Sequence, residues 1–322
     1  MNDILLLVVG LVVLGGSAEL LVRCSALIAT RLGVSSLLIG LTIVALGTSA
    51  PEIVASVAAA LLGSPDIAIG NIVGSNISNS LLVAGAAALV APIAVAVTTL
   101  RRDGLIALCA GAVFWLVCGL QWLGVATGVA LLLALVLYIG FVYRSERIPQ
   151  ALDAVSSKAI AHGAASEPRE STGPYRMLLL VVGAIVGLVG LAGGGQLLVT
   201  SAISLASGFG VSEAVIGLTI VAVGTSLPEL ATSLLAARRG ESGIAFGNIL
   251  GSNIFNLMGI GGLTAIFSQG GVPERILLLD FPIMLAAMAL LVLVAATGRR
   301  VNRIEGAVLV GLFAIYIATA WA

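Results

Sequence analysis

Residues 40–79 read GLTIVALGTSAPEIVASVAAALLGSPDIAIGNIVGSNISN, and residues 217–256 read GLTIVAVGTSLPELATSLLAARRGESGIAFGNILGSNIFN. The offset is a constant 177 without a gap, and 25 of the 40 positions are identical. Chance does not give agreement of that length and register, so the chain holds two copies of one unit. The first apolar run of each half matches at the same offset: Gly16 meets Gly193, and Glu19 meets Gln196. Each copy breaks an apolar helix midway with Gly-Thr-Ser-x-Pro-Glu, at Gly47 to Glu52 and at Gly224 to Glu229.

The composition says what surrounds these copies. Of 322 residues, 60% are hydrophobic and only 9% charged, and the mean hydropathy is +1.19. A soluble domain carries about 25% charged residues, so a soluble enzyme and a disordered chain are both excluded. Forty glycines and 5% aromatics suit helices packed closely in lipid. The apolar runs are about 20 residues long, which fits membrane helices rather than the short alternating strands of a β-barrel. Fifteen basic residues balance fifteen acidic ones, so net charge names no partner, and no basic patch with interleaved aromatics points to nucleic acid. Cys24, Cys109 and Cys118 sit in apolar runs without metal-ligand spacing, and the single histidine, His162, lies in a polar stretch. The first apolar run has no basic preface and contains Glu19, so it reads as a true span and not as a cleaved leader.

Ten apolar segments are expected, at roughly 4–25, 36–62, 67–90, 104–120, 122–143, 176–204, 212–237, 243–267, 276–296 and 304–321. The expected fold is an all-α polytopic membrane protein: ten transmembrane helices forming two inverted five-helix repeats. Residues 1–143 are the N-terminal repeat, 144–175 a polar cytoplasmic linker, and 176–322 the C-terminal repeat. With both termini outside, fourteen of the fifteen Lys and Arg fall on the cytoplasmic side, and only Arg275 does not. Five spans separate the two copies, an odd number, so the second crosses the membrane upside down. The hairpin inside copy one, Gly63-Ser64-Pro65-Asp66, carries no basic residue, whereas its mate begins Arg238-Arg239. Inverted repeats with broken helices are the architecture of secondary transporters, with substrate held near the midplane.

Pro51 and Pro228 each remove a backbone donor inside an apolar helix, freeing carbonyl oxygens at 45–48 and 222–225 that need protein, water or a cation. Glu52 and Glu229 lie about half a span deep, and an intramembrane carboxylate is a functional-site candidate by default. Ser49 shares a helix face with Glu52, and Ser226 with Glu229. In the following helix of each copy, Ser75 and Asn79, and Ser252 and Asn256, share a face at i,i+4 spacing. Carboxylates, hydroxyls, amides and carbonyls are all hard oxygen donors, the chemistry of a Na⁺ or Ca²⁺ site. Plainer roles are expected elsewhere. Asn71, Asn76, Asn248 and Asn253 satisfy broken helix ends. Asp66, Glu213 and Asp280 are solvated near span ends. Glu19 is a carboxylate near the pathway or, given Gln196 at its mate, a hydrogen-bonding group.

The two stretches resemble the α-1 and α-2 repeats of the cation/Ca²⁺ exchanger superfamily, in particular its prokaryotic Na⁺/Ca²⁺ exchanger branch. The resemblance implies that spans 2, 3, 7 and 8 form an ion-binding core and that spans 1 and 6 form a tilted pair sliding against it. It implies carboxylate ligands at Glu52 and Glu229, and hydroxyl or carbonyl ligands at Ala45, Thr48, Ser49, Ser75, Ala222, Thr225, Ser226 and Ser252. A central amide falls on Asn79. The family member this sequence most resembles has an aspartate where this chain has Asn256, which leaves two carboxylates in the cluster instead of three. Two glutamates neutralise one Ca²⁺ or two Na⁺, and a third Na⁺ would leave the site at +1. The Gly-Asn-Ala-x-Glu pattern of the H⁺-coupled branch is missing.

The expected function is therefore Na⁺/Ca²⁺ antiport by alternating access in a plasma membrane (an inner membrane in a bacterium). Its partners are lipid and the two cations, with no resident cofactor and no required protein partner. Ca²⁺/H⁺ or K⁺-dependent antiport and a cation channel are the competing expectations. An intramembrane enzyme is not expected, because no nucleophile–His pair or metal motif accompanies the glutamates.

Overall fold

The computed structural model describes residues 2–146, 174–208, 224–267 and 271–321. Most of the expected linker lies outside these residues, as do His162, Glu213, Ala222 and the first half of the seventh span. The described chain is helical apart from one pair of two-residue strands. The helices are α1 (Asn2–Leu32), α2 (Ser36–Thr48), α3 (Ala50–Leu61), α4 (Asp66–Val90), α5 (Val97–Gly119), α6 (Val125–Ser145), α7 (Pro174–Gly208), α8 (Leu227–Arg238), α9 (Ser242–Phe267), α10 (Ile276–Gly298) and α11 (Arg303–Trp321). Seven of them are long and apolar enough to cross a membrane, or eight if α2 and α3, bent by 48°, count as one broken span.

The polarity of the molecule is inverted relative to a soluble protein. Large apolar side chains such as Val12, Val54 and Leu137 are exposed on the outside, while Glu52, Asn79, Glu229 and Asn256 are buried at its centre. Water cannot solvate such an exterior, and lipid can. The chain is a multi-pass membrane protein.

Two boundaries differ from the sequence expectation for one reason. α1 runs on to Leu32 rather than stopping near residue 25, and α5 begins at Val97 rather than near 104. Charged residues at those ends read as loop, yet they are accommodated within helix. Arg102 donates from Nε and Nη2 to Asp103 (2.9 and 2.8 Å) and from Nη1 to Ser145 (2.7 Å), and it pairs with Glu146 at 2.7 Å. Tyr138 donates to Asp103 (3.0 Å), and Ser35, the N-cap of α2, donates to Glu146 (2.5 Å). This network ties α5, α6 and the start of α2 together. Asp280 also departs from expectation: it is half-buried and accepts a bond from the Tyr316 hydroxyl at 3.3 Å.

Loops far apart in sequence meet at the same end of the bundle as that network. Strand β1 (Ile93–Ala94) pairs antiparallel with β2 (Arg300–Val301), Arg303 donates to Val90 O, and Ala94 N–H donates to Ser242 in the α8–α9 hairpin. At the other end Ser204 donates to Asp3, and Gly271 lies against Gln121.

Helices α1 and α7 pack along most of their length and cross through glycines. A Cβ on Gly10 would lie 2.9 Å from Leu198 N and 3.1 Å from Gly194 O. A Cβ on Gly187 would lie 3.0 Å from Leu21 N and from Ser17 O. Subtracting 177 from 187, 198 and 194 gives 10, 21 and 17, so the two halves make equivalent contacts at the crossing. Without a hydrophobic driving force in lipid, close backbone approach of this kind supplies much of the association. Gly187→Leu should separate the pair at a cost of about 1–3 kcal/mol, the usual range for overpacking. A lowered midpoint of unfolding in detergent would report it, and an unchanged midpoint would contradict the crossing.

Candidate functional site

The break in each copy has the same geometry. α2 ends at Thr48, Ser49 adopts φ −81°, ψ 7°, and α3 starts with Pro51 in its first turn. In the second copy Ser226 adopts φ −86°, ψ 6°, and α8 starts with Pro228 in its first turn. Proline is thus not inside a strained helix, as the sequence suggested, but opens a new one, where a missing N–H costs nothing. The Ala45 carbonyl is correspondingly not left free: it accepts from Ser49 N–H at 3.0 Å and is approached by the Thr48 hydroxyl at 3.3 Å. The break has a second effect. It puts Glu52 and Glu229 each in the first turn of a helix, where unpaired N–H groups and the helix dipole favour an anion.

The two carboxylates, each 1% exposed, come from opposite copies and meet. Ser49 donates to Glu229 Oε1 at 2.9 Å across the interface, Thr48 and Ser252 lie close to the same carboxyl group, and Glu229 is a Coulombic neighbour of Glu52. Asn79 and Asn256 are each 1% exposed, on the stretches of α4 and α9 that pack against α8 and α3. Each stands at a wide π turn, over Asn79–Val83 and over Phe255–Ile260. Such turns recur at functional sites, and nothing in residue periodicity had signalled these. Ser75 is buried one helical turn before Asn79, and Ala45 lies against Gly251 of α9. Thr225 is half-buried beside a cavity of about 210 Å³, lined also by Pro51, Gln196, Val199, Gly224 and Pro228. Of the twelve expected ligands, Ala222 lies outside the described residues.

The donor set suits a hard cation. Glu52 Oε2, Glu229 Oε2, Asn79 Oδ1, Asn256 Oδ1, Ser226 Oγ and Ser252 Oγ are buried without a hydrogen-bond partner. Each such atom costs about 1–3 kcal/mol unless something compensates it. Neither glutamate has a basic partner among the described ion pairs. Six oxygens and two negative charges match what Ca²⁺ takes from a flexible site. No group of three or more His, Cys, Asp or Glu that could hold a metal occurs among the described residues, in keeping with asparagine at 256.

Two of the four asparagines expected to satisfy broken helix ends instead brace the helix that opens at the break, through a first-turn carbonyl and a serine one turn on. Asn71 donates to Glu52 O (3.4 Å) and Ser56 Oγ (2.8 Å), and Asn248 to Glu229 O (3.3 Å) and Ser233 Oγ (3.0 Å). The serines were missed, although their identity in both copies was a visible signal. Asn76 donates to Ile72 O and Asn253 to Ser80 Oγ. Glu19 is not at the cluster. It pairs with Arg23 at 3.5 Å and accepts from Arg239 Nε at 2.7 Å, because the α8–α9 hairpin folds back over α1.

Comparison with known proteins agrees with this geometry. A family profile described as sodium/calcium exchanger protein matches residues 2–144 and 179–322. The putative antiporter CaxA of Alkalimonas amylolytica is 41% identical over 312 residues, covering 96% of this chain and 95% of its own. The sodium/calcium exchanger MaX1 of Methanosarcina acetivorans is 32% identical over 344 residues, covering 98% and 97%. A solved structure of the sodium-calcium exchanger NCX_Mj superposes with a TM-score of 0.83 at 30% identity, covering 99% of this chain and 98% of that one.

Proposed function

The chain belongs to the sodium/calcium exchanger family, and on that premise we propose that it exchanges Na⁺ for Ca²⁺ across a plasma membrane by alternating access. One observation carries the reading: two buried carboxylates, one from each sequence copy, lie among buried unpartnered oxygens with no basic residue paired to them among the described residues. Glu52 and Glu229 supply the charge. Thr48, Ser49, Ser75, Thr225, Ser226 and Ser252 supply hydroxyls, Asn79 and Asn256 amide oxygens, Ala222 a carbonyl, and Ala45 the second lone pair of a carbonyl whose first is held by Ser49 N–H. The doubly anionic site cannot be closed off in an apolar interior, so only the cation-loaded states change sides. Na⁺ and Ca²⁺ compete because they share both glutamates. Exchange is then obligatory.

Ten spans result when α2 and α3 form one broken helix, α8 is the second half of another, and α11 crosses as well. On this count residues 1–143 and 176–322 are inverted halves joined by 144–175. The loop contacts support the parity. Loops and helix ends near residues 35, 94, 146, 242 and 300 meet at one end, which the ten-span count requires of five cytoplasmic sites. Both termini are then outside. The glycine-rich crossing of α1 and α7 supports their motion as a pair against the core.

The test is uptake of radiolabelled Ca²⁺ into Na⁺-loaded proteoliposomes. Uptake should require the outward Na⁺ gradient and collapse when the gradient is dissipated. Uptake indifferent to Na⁺ but driven by a pH gradient would replace Na⁺ by H⁺ as the coupling ion. Conductance without counter-ion flux would indicate a channel.

A further inference from the structure

The two copies are identical at Glu52 and Glu229, Ser56 and Ser233, Asn71 and Asn248, and Thr48 and Thr225. Within each copy the asparagine makes the same pair of bonds, to the glutamate carbonyl and to the serine hydroxyl. Between copies they differ. Thr48 is fully buried and its hydroxyl donates to Asn248 Oδ1 at 3.0 Å. Thr225 is half-buried at the 210 Å³ cavity, and among the described residues it makes no such bond to Asn71. Likewise Ser49 donates to Glu229, while Ser226 Oγ has no partner. The residues that make these bonds are identical in the two copies, so their own chemistry does not set the difference. The difference is one of conformation.

The bond also has a chemical use. A hydroxyl has one proton and two lone pairs. To ligate a cation it must present a lone pair and send its proton elsewhere. Both Nδ2 protons of Asn248 are committed to its own copy, which leaves Oδ1, at 3.0 Å and nearer than the competing Ala45 carbonyl at 3.3 Å, to take the Thr48 proton.

We propose that Asn248 and Asn71 are positioning residues that orient the threonine of the opposite copy toward the cation, and that they engage alternately. The Thr48–Asn248 bond belongs to the conformation described here. The Thr225–Asn71 bond forms in the conformation open to the other side, as the Thr48–Asn248 bond opens. This rests on the cluster being a cation site that faces the two sides in turn.

The test is Ca²⁺ self-exchange in proteoliposomes, with half-saturating Ca²⁺ measured separately on each side. Self-exchange needs the site but not Na⁺ coupling, so loss of Na⁺ dependence would overturn the exchange reading without touching this one. Asn248→Leu removes a bond from one conformation only. It should change the ratio of the two half-saturation values about fivefold, corresponding to about 1 kcal/mol at 1.4 kcal/mol per factor of ten. Asn71→Leu should change the ratio by a similar factor in the opposite sense. A purely structural role would weaken both sides alike. An unchanged ratio in both variants, or shifts in the same sense, overturns the proposal. If the leucine variants do not fold, Asn248→Ser and Asn71→Ser are read in the same way.

Discussion

Replacing Glu52 or Glu229 by Gln should lower Ca²⁺ affinity at least a hundredfold and abolish Na⁺-driven Ca²⁺ uptake. The amide keeps an oxygen of nearly the same size in nearly the same place, so what is lost is charge. With both carboxylates present, a bound Ca²⁺ is neutralised. With one, the loaded site carries a net positive charge in an interior that is 1% exposed at both positions and offers no water to solvate it. A hundredfold loss is about 2.8 kcal/mol at 1.4 kcal/mol per factor of ten, well below the Coulombic energy at stake. The two variants should be equally damaged, because the carboxylates share one ion. Isothermal titration with Ca²⁺ checks this directly. A variant that keeps its affinity within about tenfold would remove that glutamate from the site.

The second large effect lies outside the site. Arg102→Met should destabilise the fold by about 3–5 kcal/mol, the usual cost of breaking a buried ion pair by removing one partner. Arg102 is 14% exposed and serves two carboxylates, Asp103 at 0% and Glu146 at 15%. Removing the guanidinium strands both, with only the Tyr138 and Ser35 hydroxyls left to them. Adding Asp103→Leu and Glu146→Gln to Arg102→Met should restore much of the lost stability, since uncharged replacements remove the cost of burying unpaired carboxylates. Thermal unfolding in detergent measures both variants. Equal melting of Arg102→Met and the unaltered protein would show that water reaches this network.

Much of the molecule was legible in the sequence because the repeat is so well preserved. A 177-residue offset predicts that Glu52 and Glu229 are equivalent, and intramembrane carboxylates have few uses, so their meeting followed. The break at Ser49 was legible from Pro51, but its form was not. A proline ends a helix or opens one, and only the chain's path decides which. Asp103 escaped notice because an Arg-Arg-Asp run at the edge of an apolar stretch looks like a solvated loop. What lets it be buried is the adjacent Arg102 together with the Tyr138 hydroxyl, 35 residues on, a partner that no local pattern reveals. Asp280 misled in the same way, its partner Tyr316 being 36 residues distant. The π turns beside Asn79 and Asn256 left no trace in periodicity. A single wide turn alters the phase of a helix without altering which residues are apolar.

Those wide turns constrain how the chain can change length. A π turn is a helix holding one residue too many for its pitch. Deleting one residue within the turn at Asn79 would let α4 relax to an ordinary helix with both flanks still in phase, at the cost of the wide turn itself, whereas deleting one elsewhere in α4 would swing everything beyond by about 100° around the axis, since 3.6 residues complete a circle. The same holds for α9 at Asn256. In any lineage that keeps the two helices packed as here, single-residue gaps in them should therefore fall at the wide turns and nowhere else, while the turn at residues 120–124, which has no phase to preserve, is free to lengthen or shrink.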